Sequence, residues 1–356
     1  MKKVLSLILA LGMILALCAC GAPADAPNGE AAAEDPAPAD APSEEPAAQA
    51  AQTEASAENA SASGEASEHR GTRSGMTGGG AAVDPELQAV IDENAGKFEQ
   101  RTFDDPVTGI SLEYSLYIPE SYDPANRYPL IMYIPDSTGS GKTAEQLVQQ
   151  YYGAAVWVSD EDQAKHPSFV FVPAFSETVV DDYWNVSDQV ETAVNIIKAL
   201  QEEFSIDADR LYTTGQSMGC MTSLYLNSKY PDLFAASMFV SGQWDINVLK
   251  PLENATFFYI TAGGDMKASG GQDEVMAMLD ADGVAYTYGT WNAQNSDEEQ
   301  TAAVEALLAE GLPINMIRFE AGSVFREGQS GMEHMASFNY GYKLTAVRDW
   351  LFEQSK

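Results

Sequence analysis

The pentapeptide Gly215-Gln216-Ser217-Met218-Gly219 leaves the chain around it few options. A β-prone run over residues 210–214 enters it, and an apolar-periodic run carrying Met221, Leu224 and Leu226 leaves it. That pattern predicts a strand turning sharply into a helix with Ser217 at the apex. The positions two before and two after such an apex must lack side chains for strand and helix to approach closely, and both are glycine. The turn exposes the Ser217 hydroxyl and aims the Met218 amide, at the start of the helix, into the space in front of it, where a developing oxyanion is favoured. A glycine-rich turn whose serine bonds only its own backbone is the plainer alternative.

The rest of the chain supplies the frame for such an elbow. Residues 112–118 alternate as a strand, and 128–134, 168–172, 210–214, 236–240, 256–261 and 317–319 read as apolar or β-prone runs. Residues 187–204 place Val190, Val194, Ile197 and Leu200 at helical spacing, and 340–352 reads as a closing helix. Strands alternating with helices predict a mostly parallel sheet covered on both faces, and unbroken apolar runs fit strands buried on both sides. Chemistry in such sheets gathers at the carboxyl ends of the strands. No 20–50-residue period repeats.

The amino-terminal part is different. Residues 1–19 combine Lys2-Lys3, an apolar stretch and small residues before Cys20, a secretion signal too short for a comfortable membrane span. Leu17-Cys18-Ala19-Cys20 resembles a bacterial lipobox, with Cys20 as the residue to be lipidated and Ala19 as its small predecessor; ordinary cleavage to a free secreted protein is the alternative. Residues 20–82 are rich in Ala, Pro, Glu, Ser and Gly, with too little apolar surface to offset chain entropy, and are expected to form a disordered acidic tether. The folded domain is expected over 83–356. The expected location is outside the cytoplasm, held to the bacterial cell membrane by lipid alone. With 19 Lys+Arg against 53 Asp+Glu, a formal charge of −34 argues against nucleic acid and anionic lipid headgroups as partners. Cys220 is the single thiol of the folded part, which excludes an internal disulfide there, and reads as a buried small hydrophobe.

A serine hydroxyl needs a base, and the base needs an acceptor to hold its ring. Of three histidines, His69 lies in the tether and His166 precedes a strand, at the edge away from the elbow. His334 lies after the last strand, in what reads as a loop before the closing helix. The acid is expected at the end of a strand between Ser217 and His334, and Gly263-Gly264-Asp265 follows the 256–261 strand directly. Asp265 is therefore the expected acid, with Asp273 and Glu320 in reserve. The second oxyanion donor is expected from the loop after strand 128–134, as the amide of Ser137 or Thr138. Gly139-Ser140-Gly141-Lys142-Thr143 imitates a phosphate loop, but Asp136 stands where a Walker motif needs glycine.

These residues resemble the extracytoplasmic α/β-hydrolases of the esterase and prolyl-oligopeptidase-like group, the predicted peptidases related to polyhydroxybutyrate depolymerases and feruloyl esterases. The likeness runs from about residue 98 to 352. It rests on Thr108-Gly109, on Tyr114-Ser115-Leu116-Tyr117-Ile118-Pro119, on Tyr128-Pro129-Leu130 and on Ile206-Asp207-Ala208-Asp209-Arg210-Leu211-Tyr212 leading into the elbow. Tyr230-Pro231-Asp232-Leu233-Phe234 and Arg348-Asp349-Trp350-Leu351-Phe352 complete it. The resemblance implies an α/β-hydrolase fold, with Ser217, Asp265 and His334 as nucleophile, acid and base in the chain order expected of that fold. Two departures stand out: Pro135-Asp136 replaces the family's usual His-Gly, and Cys220 replaces a glycine.

The expected activity is cleavage of a carboxylic ester or related acyl bond through an acyl-enzyme, without metal or organic cofactor. The expected substrates are a small or polysaccharide-linked ester or a short peptide, since the triad serves both bonds. A non-catalytic ligand binder on the same fold is the alternative that Pro135-Asp136 keeps open. Residues 292–311, inserted between acid and base, are expected to form either a partial lid or a peripheral decoration. Tyr183-Trp184-Asn185 is expected to line the pocket or to pack.

Overall fold

The computed structural model describes residues 84–356; the expected signal sequence, Cys20, the tether with His69, and Val83 lie outside the described residues. Nine strands form one sheet: β1 (Glu99–Asp104), β2 (Ser111–Tyr117), β3 (Tyr128–Ile134), β4 (Phe169–Ala174), β5 (Ile206–Gln216), β6 (Ala236–Val240), β7 (Phe257–Ala262), β8 (Thr287–Trp291) and β9 (Ile314–Phe319). Their order is β1-β2-β4-β3-β5-β6-β7-β9-β8. β1 and β2 run antiparallel to their neighbours, and every pairing from β4 to β8 is parallel.

The unbroken apolar runs are the strands buried on both faces. Along β3, Ile131 and Tyr133 enter the core under one helical layer, while Leu130, Met132 and Ile134 enter the core under the other. Along β7, Phe258, Ile260 and Ala262 divide from Phe257 and Tyr259 in the same way. A strand whose side chains alternate between two dry layers has no polar face to show in its sequence.

Two strands carried no such signal. β1 reads Glu-Gln-Arg-Thr-Phe-Asp and has no buried residue, and β8 is buried only at its two ends. Both are edge strands, one antiparallel on β2 and one parallel on β9, so their pairing comes from the neighbouring strand and not from an apolar pattern of their own. At the carboxyl end of the chain, the single closing helix expected over 340–352 is two helices, Glu333–Lys343 and Thr345–Glu353, broken at Leu344. The break frees the Tyr342 carbonyl, which accepts from the Arg348 guanidinium. Arg348 also forks onto Asp162 at 2.7 and 3.0 Å with both side chains buried. Among the described residues no helix is long and apolar enough to cross a membrane.

The topology places the site. β3 has β4 on one side and β5 on the other, so the chain reverses its direction of travel across the sheet at β3, the kind of point where open α/β sheets leave a crevice at the strand ends. Ile134, the last residue of β3, pairs with Gly215 near the end of β5. The loop after β3 and the elbow after β5 therefore emerge side by side.

Candidate active site

Ser217 links β5 to the helix Met218–Lys229 with φ 53° and ψ −116°, a region that costs a non-glycine residue on the order of 1–3 kcal/mol. The elbow glycines are needed by contact and not by φ. A Cβ on Gly215 would stand 2.4 Å from the Gly219 carbonyl carbon, and a Cβ on Gly219 would stand 2.0 Å from the Ile134 carbonyl oxygen. The turn is thus wedged between its own helix and β3.

Three segments converge on the Ser217 hydroxyl. His334 Nε2 lies 2.8 Å from Ser217 Oγ, and His334 Nδ1 lies 2.6 Å from Asp265 Oδ2. A carboxylate only accepts, so the Nδ1 hydrogen donates to Asp265 and Nε2 is left to accept the serine proton. Asp265 follows β7 and is buried; its Oδ1 accepts from the Ala268 amide and caps the helix Met266–Asp282, whose positive end favours the carboxylate. The half-buried imidazole packs edge-on against Phe338, one helical turn further on. His334 is not in a loop as expected but in the first turn of Glu333–Lys343. Its carbonyl accepts from Ser337, whose hydroxyl lies 2.7 Å from that of Ser241, a buried residue at φ 50° just past β6.

The reserve acids are elsewhere. Asp273 pairs with Arg318, and Glu320 is exposed with its amide bonded to the Trp291 carbonyl. His166 bonds Asp349 and stacks on Phe352, remote from this constellation. Cys220 is buried, and burial pushes its thiol well up, so it stays protonated beside the elbow.

The loop after β3 corrects one expectation. The Thr138 amide donates to Asp136 Oδ1 at 2.8 Å, so it is not free to hold an oxyanion. The Ser137 and Met218 amides have no hydrogen-bond partner among the described residues, and both residues line the cleft above Ser217. Asp136 itself is 3% exposed. Its carboxylate accepts from the Thr138 amide and hydroxyl, from Tyr151 Oη at 3.2 Å and from Gln216 Nε2 at 2.8 Å. Gln216 in turn accepts from Tyr133 Oη. Asp136 therefore braces the loop from beneath and ties it to Gln216, the residue before Ser217.

The cleft has a volume of about 470 Å³ and is walled by Val180, Asp181, Asp182, Met221, Gln243, Lys267 and Met332 besides the residues above. Lys267 pairs with Asp182, joining the loop after β4 to the helix after β7. Of the aromatic loop, Asp181 holds the Tyr183 and Asn185 amides, Tyr183 is exposed, and Trp184 packs on Trp244. The neighbours Asp181 and Asp182, and not Tyr183, Trp184 or Asn185, are the lining residues. Residues 292–311 contribute nothing to the wall. Their helix, Asp297–Leu308, packs against β8 and the last helix at the sheet edge, so the insertion is peripheral and not a lid. Among the described residues no cluster of three His, Cys, Asp or Glu could hold a metal ion.

Comparison with known proteins agrees with this frame. The Esterase family model matches residues 106–258. Acetylxylan esterase A of Aspergillus ficuum is 25% identical over 167 residues, 44% of this chain and 50% of that protein, so the chain spans about half the length of this curated relative. A solved thermostable esterase superposes with a TM-score of 0.60 at 23% identity, over 74% of this chain and 64% of that one. A structure designated FAE superposes with a TM-score of 0.51 at 14% identity, over 78% and 96%. The chain has the α/β-hydrolase fold.

Sequence reasoning identified the three residues that meet in this cleft, but missed much of what surrounds them. Gln216 lies inside the elbow motif, yet nothing local shows that its amide reaches Asp136. Ser241 carries a positive φ that no serine advertises. Glu333 stands beside His334, and the signal that could have found it was Gly264, a glycine without a positive φ, whose missing side chain leaves room for the Glu333 carboxylate.

Proposed function

We propose that this hydrolase cleaves carboxylic esters through an acyl-enzyme on Ser217. His334 Nε2 takes the hydroxyl proton as Oγ bonds to the ester carbonyl carbon, and the resulting oxyanion is held by the Ser137 and Met218 amides. Collapse breaks the bond to the alcohol oxygen, which leaves with the proton from His334. Water then attacks the acyl carbonyl carbon and gives its proton to His334 Nε2; the bond from that carbon to Ser217 Oγ breaks, the carboxylic acid leaves, and Oγ takes the proton back. Asp265 keeps the ring in the tautomer this requires and balances its charge when protonated. The cycle needs no metal or organic group.

The observation that carries this reading is the unbroken hydrogen-bonded line from Asp265 through His334 to a strained, cleft-facing serine. The likeness to an acetylxylan esterase, together with this chain's own cleft of about 470 Å³, supports an acyl group carried on a polysaccharide as substrate. The lipobox-like Leu17-Cys18-Ala19-Cys20 supports placing the enzyme outside the cytoplasm on a Cys20 lipid anchor, which metabolic labelling with a fatty acid tests: label that persists in Cys20→Ala removes it.

A fluorophosphonate probe tests the nucleophile. Wild type should label and Ser217→Ala should not; an unlabelled wild type favours a non-catalytic binder. A panel of acetylated xylan, feruloylated sugars, small acyl esters and short peptides tests the bond, and turnover of peptides alone would replace the esterase reading with a peptidase. His334→Ala should lower kcat by about three to four orders of magnitude, and near-normal turnover would mean another base.

A further inference from the structure

The mechanism gives no task to the carboxylate next to its base. Glu333 directly precedes His334, and its two oxygens serve two different loops. Oε2 accepts from the Gly264 amide at 2.9 Å, and Oε1 accepts from the Gly322 amide at 2.8 Å. Gly264 precedes the acid Asp265, and Gly322 lies in the turn after β9. A single carboxylate thus fastens the start of the His334 helix to the acid loop and to the β9 turn.

The fit is close. A Cβ on Gly264 would stand 1.9 Å from Glu333 Oε1, yet Gly264 is not at a positive φ. Its backbone would accept any residue, so what forbids a side chain there is the carboxylate. An acid in the first turn of a helix is favoured by the helix dipole wherever it points. This one turns from its own helix to two amides that no helix or sheet ladder satisfies, and hydrogen bonds to a charged acceptor are the stronger kind.

We propose that Glu333 is a positioning residue that sets the separation between the Asp265 carboxylate and the His334 ring. The bond between them is 2.6 Å and joins segments 69 residues apart, so relative drift of the two segments either stretches that bond or swings Nε2 away from Ser217. Ser337, tied to Ser241, holds the rear of the same helical turn. Glu333 holds its front. The kinetic consequence rests on the esterase reading; the geometric one does not.

The test uses a small chromogenic ester, thermal melting, and the downfield proton resonance of the His334–Asp265 hydrogen bond, assigned by its loss in His334→Ala. Glu333→Ala should lower kcat about 10- to 100-fold while KM stays within about twofold, as misplacement of reacting groups does, and should broaden or abolish the resonance in a protein that still melts cooperatively. Glu333→Gln keeps one acceptor oxygen and should recover part of both signals. Gly264→Ala should reproduce the loss by pushing the carboxylate aside, and the double variant Gly264→Ala/Glu333→Ala should be no worse than either single one, because both act on one contact. A folded Glu333→Ala with kcat within about twofold of wild type, or losses that add in the double variant, overturns the proposal. If wild type neither hydrolyses the ester nor takes the fluorophosphonate, the esterase reading fails by itself. The resonance then decides, and its unchanged presence in Glu333→Ala overturns the clamp.

Discussion

Removing the Asp136 carboxylate tests how the oxyanion loop is held. In Asp136→Ala, four donors lose their acceptor: the Thr138 amide and hydroxyl, Tyr151 Oη and Gln216 Nε2. The losses are unequal. Thr138 Oγ1 and Tyr151 Oη lie 2.9 Å apart and can bond each other, and exposed Thr138 can turn its amide to water. Gln216 is buried and cannot. Its stranded amide costs about 1–3 kcal/mol, and the lost cap on the turn Ser137–Gly139 adds about 0.5–2, for about 2–5 kcal/mol together. In a domain of this size that lowers the melting midpoint by on the order of 10 °C. The freed loop should also move the Ser137 amide off the oxyanion, and loss of one such donor lowers kcat by about 10²- to 10³-fold. Asp136→Asn separates the causes. Asn Oδ1 still accepts from Thr138, and a flipped Gln216 can meet its amide while Tyr133 Oη turns acceptor, so stability should stay within about 1 kcal/mol of wild type. Calorimetry and kcat on a small ester, measured on all three proteins, check the scheme. An alanine variant with wild-type midpoint and turnover refutes it, and so does an asparagine variant as damaged as the alanine one.

Two further outcomes follow from contacts already described. Gly219→Ala would place a methyl 2.0 Å from the Ile134 carbonyl oxygen, so the elbow must open; expression as soluble, fluorophosphonate-reactive protein at wild-type yield would show that β3 gives way more easily than the packing implies. Asp105 is buried at the β1–β2 turn; burial alone would raise its carboxyl, but the bonds from Asn195, Val107 and Thr108 outweigh this and hold it below the ordinary value. A depressed folded pKa contributes stability that is full above the unfolded value of about 3.9 and is lost as pH falls through the lower folded value. The gap in urea midpoint between wild type and Asp105→Asn should therefore be present at neutral pH and close in acid, and a gap that widens in acid would reverse the sign of the argument.

What the sequence by itself determined was local. The elbow needs two glycines because of contacts within a few residues of Ser217, and β3 and β6 could be bounded to the residue because strands buried on both faces are written as unbroken apolar runs. The candidate trio was also legible, since only His334 and a carboxylate after β7 stood at the correct ends of strands. What only the tertiary structure decided were relations between segments far apart in sequence. β1 and β8 exist because a neighbour offers an edge, and the 292–311 insertion lies at the rim of the sheet because β8 is the last strand in the order. Asp136 reads in sequence as a departure that keeps a non-catalytic binder open; in three dimensions it is a buried brace, because its four donors come from residues 138, 151 and 216. A carboxylate's role is set by which donors surround it, and a linear sequence does not state where donors more than a few residues away will be.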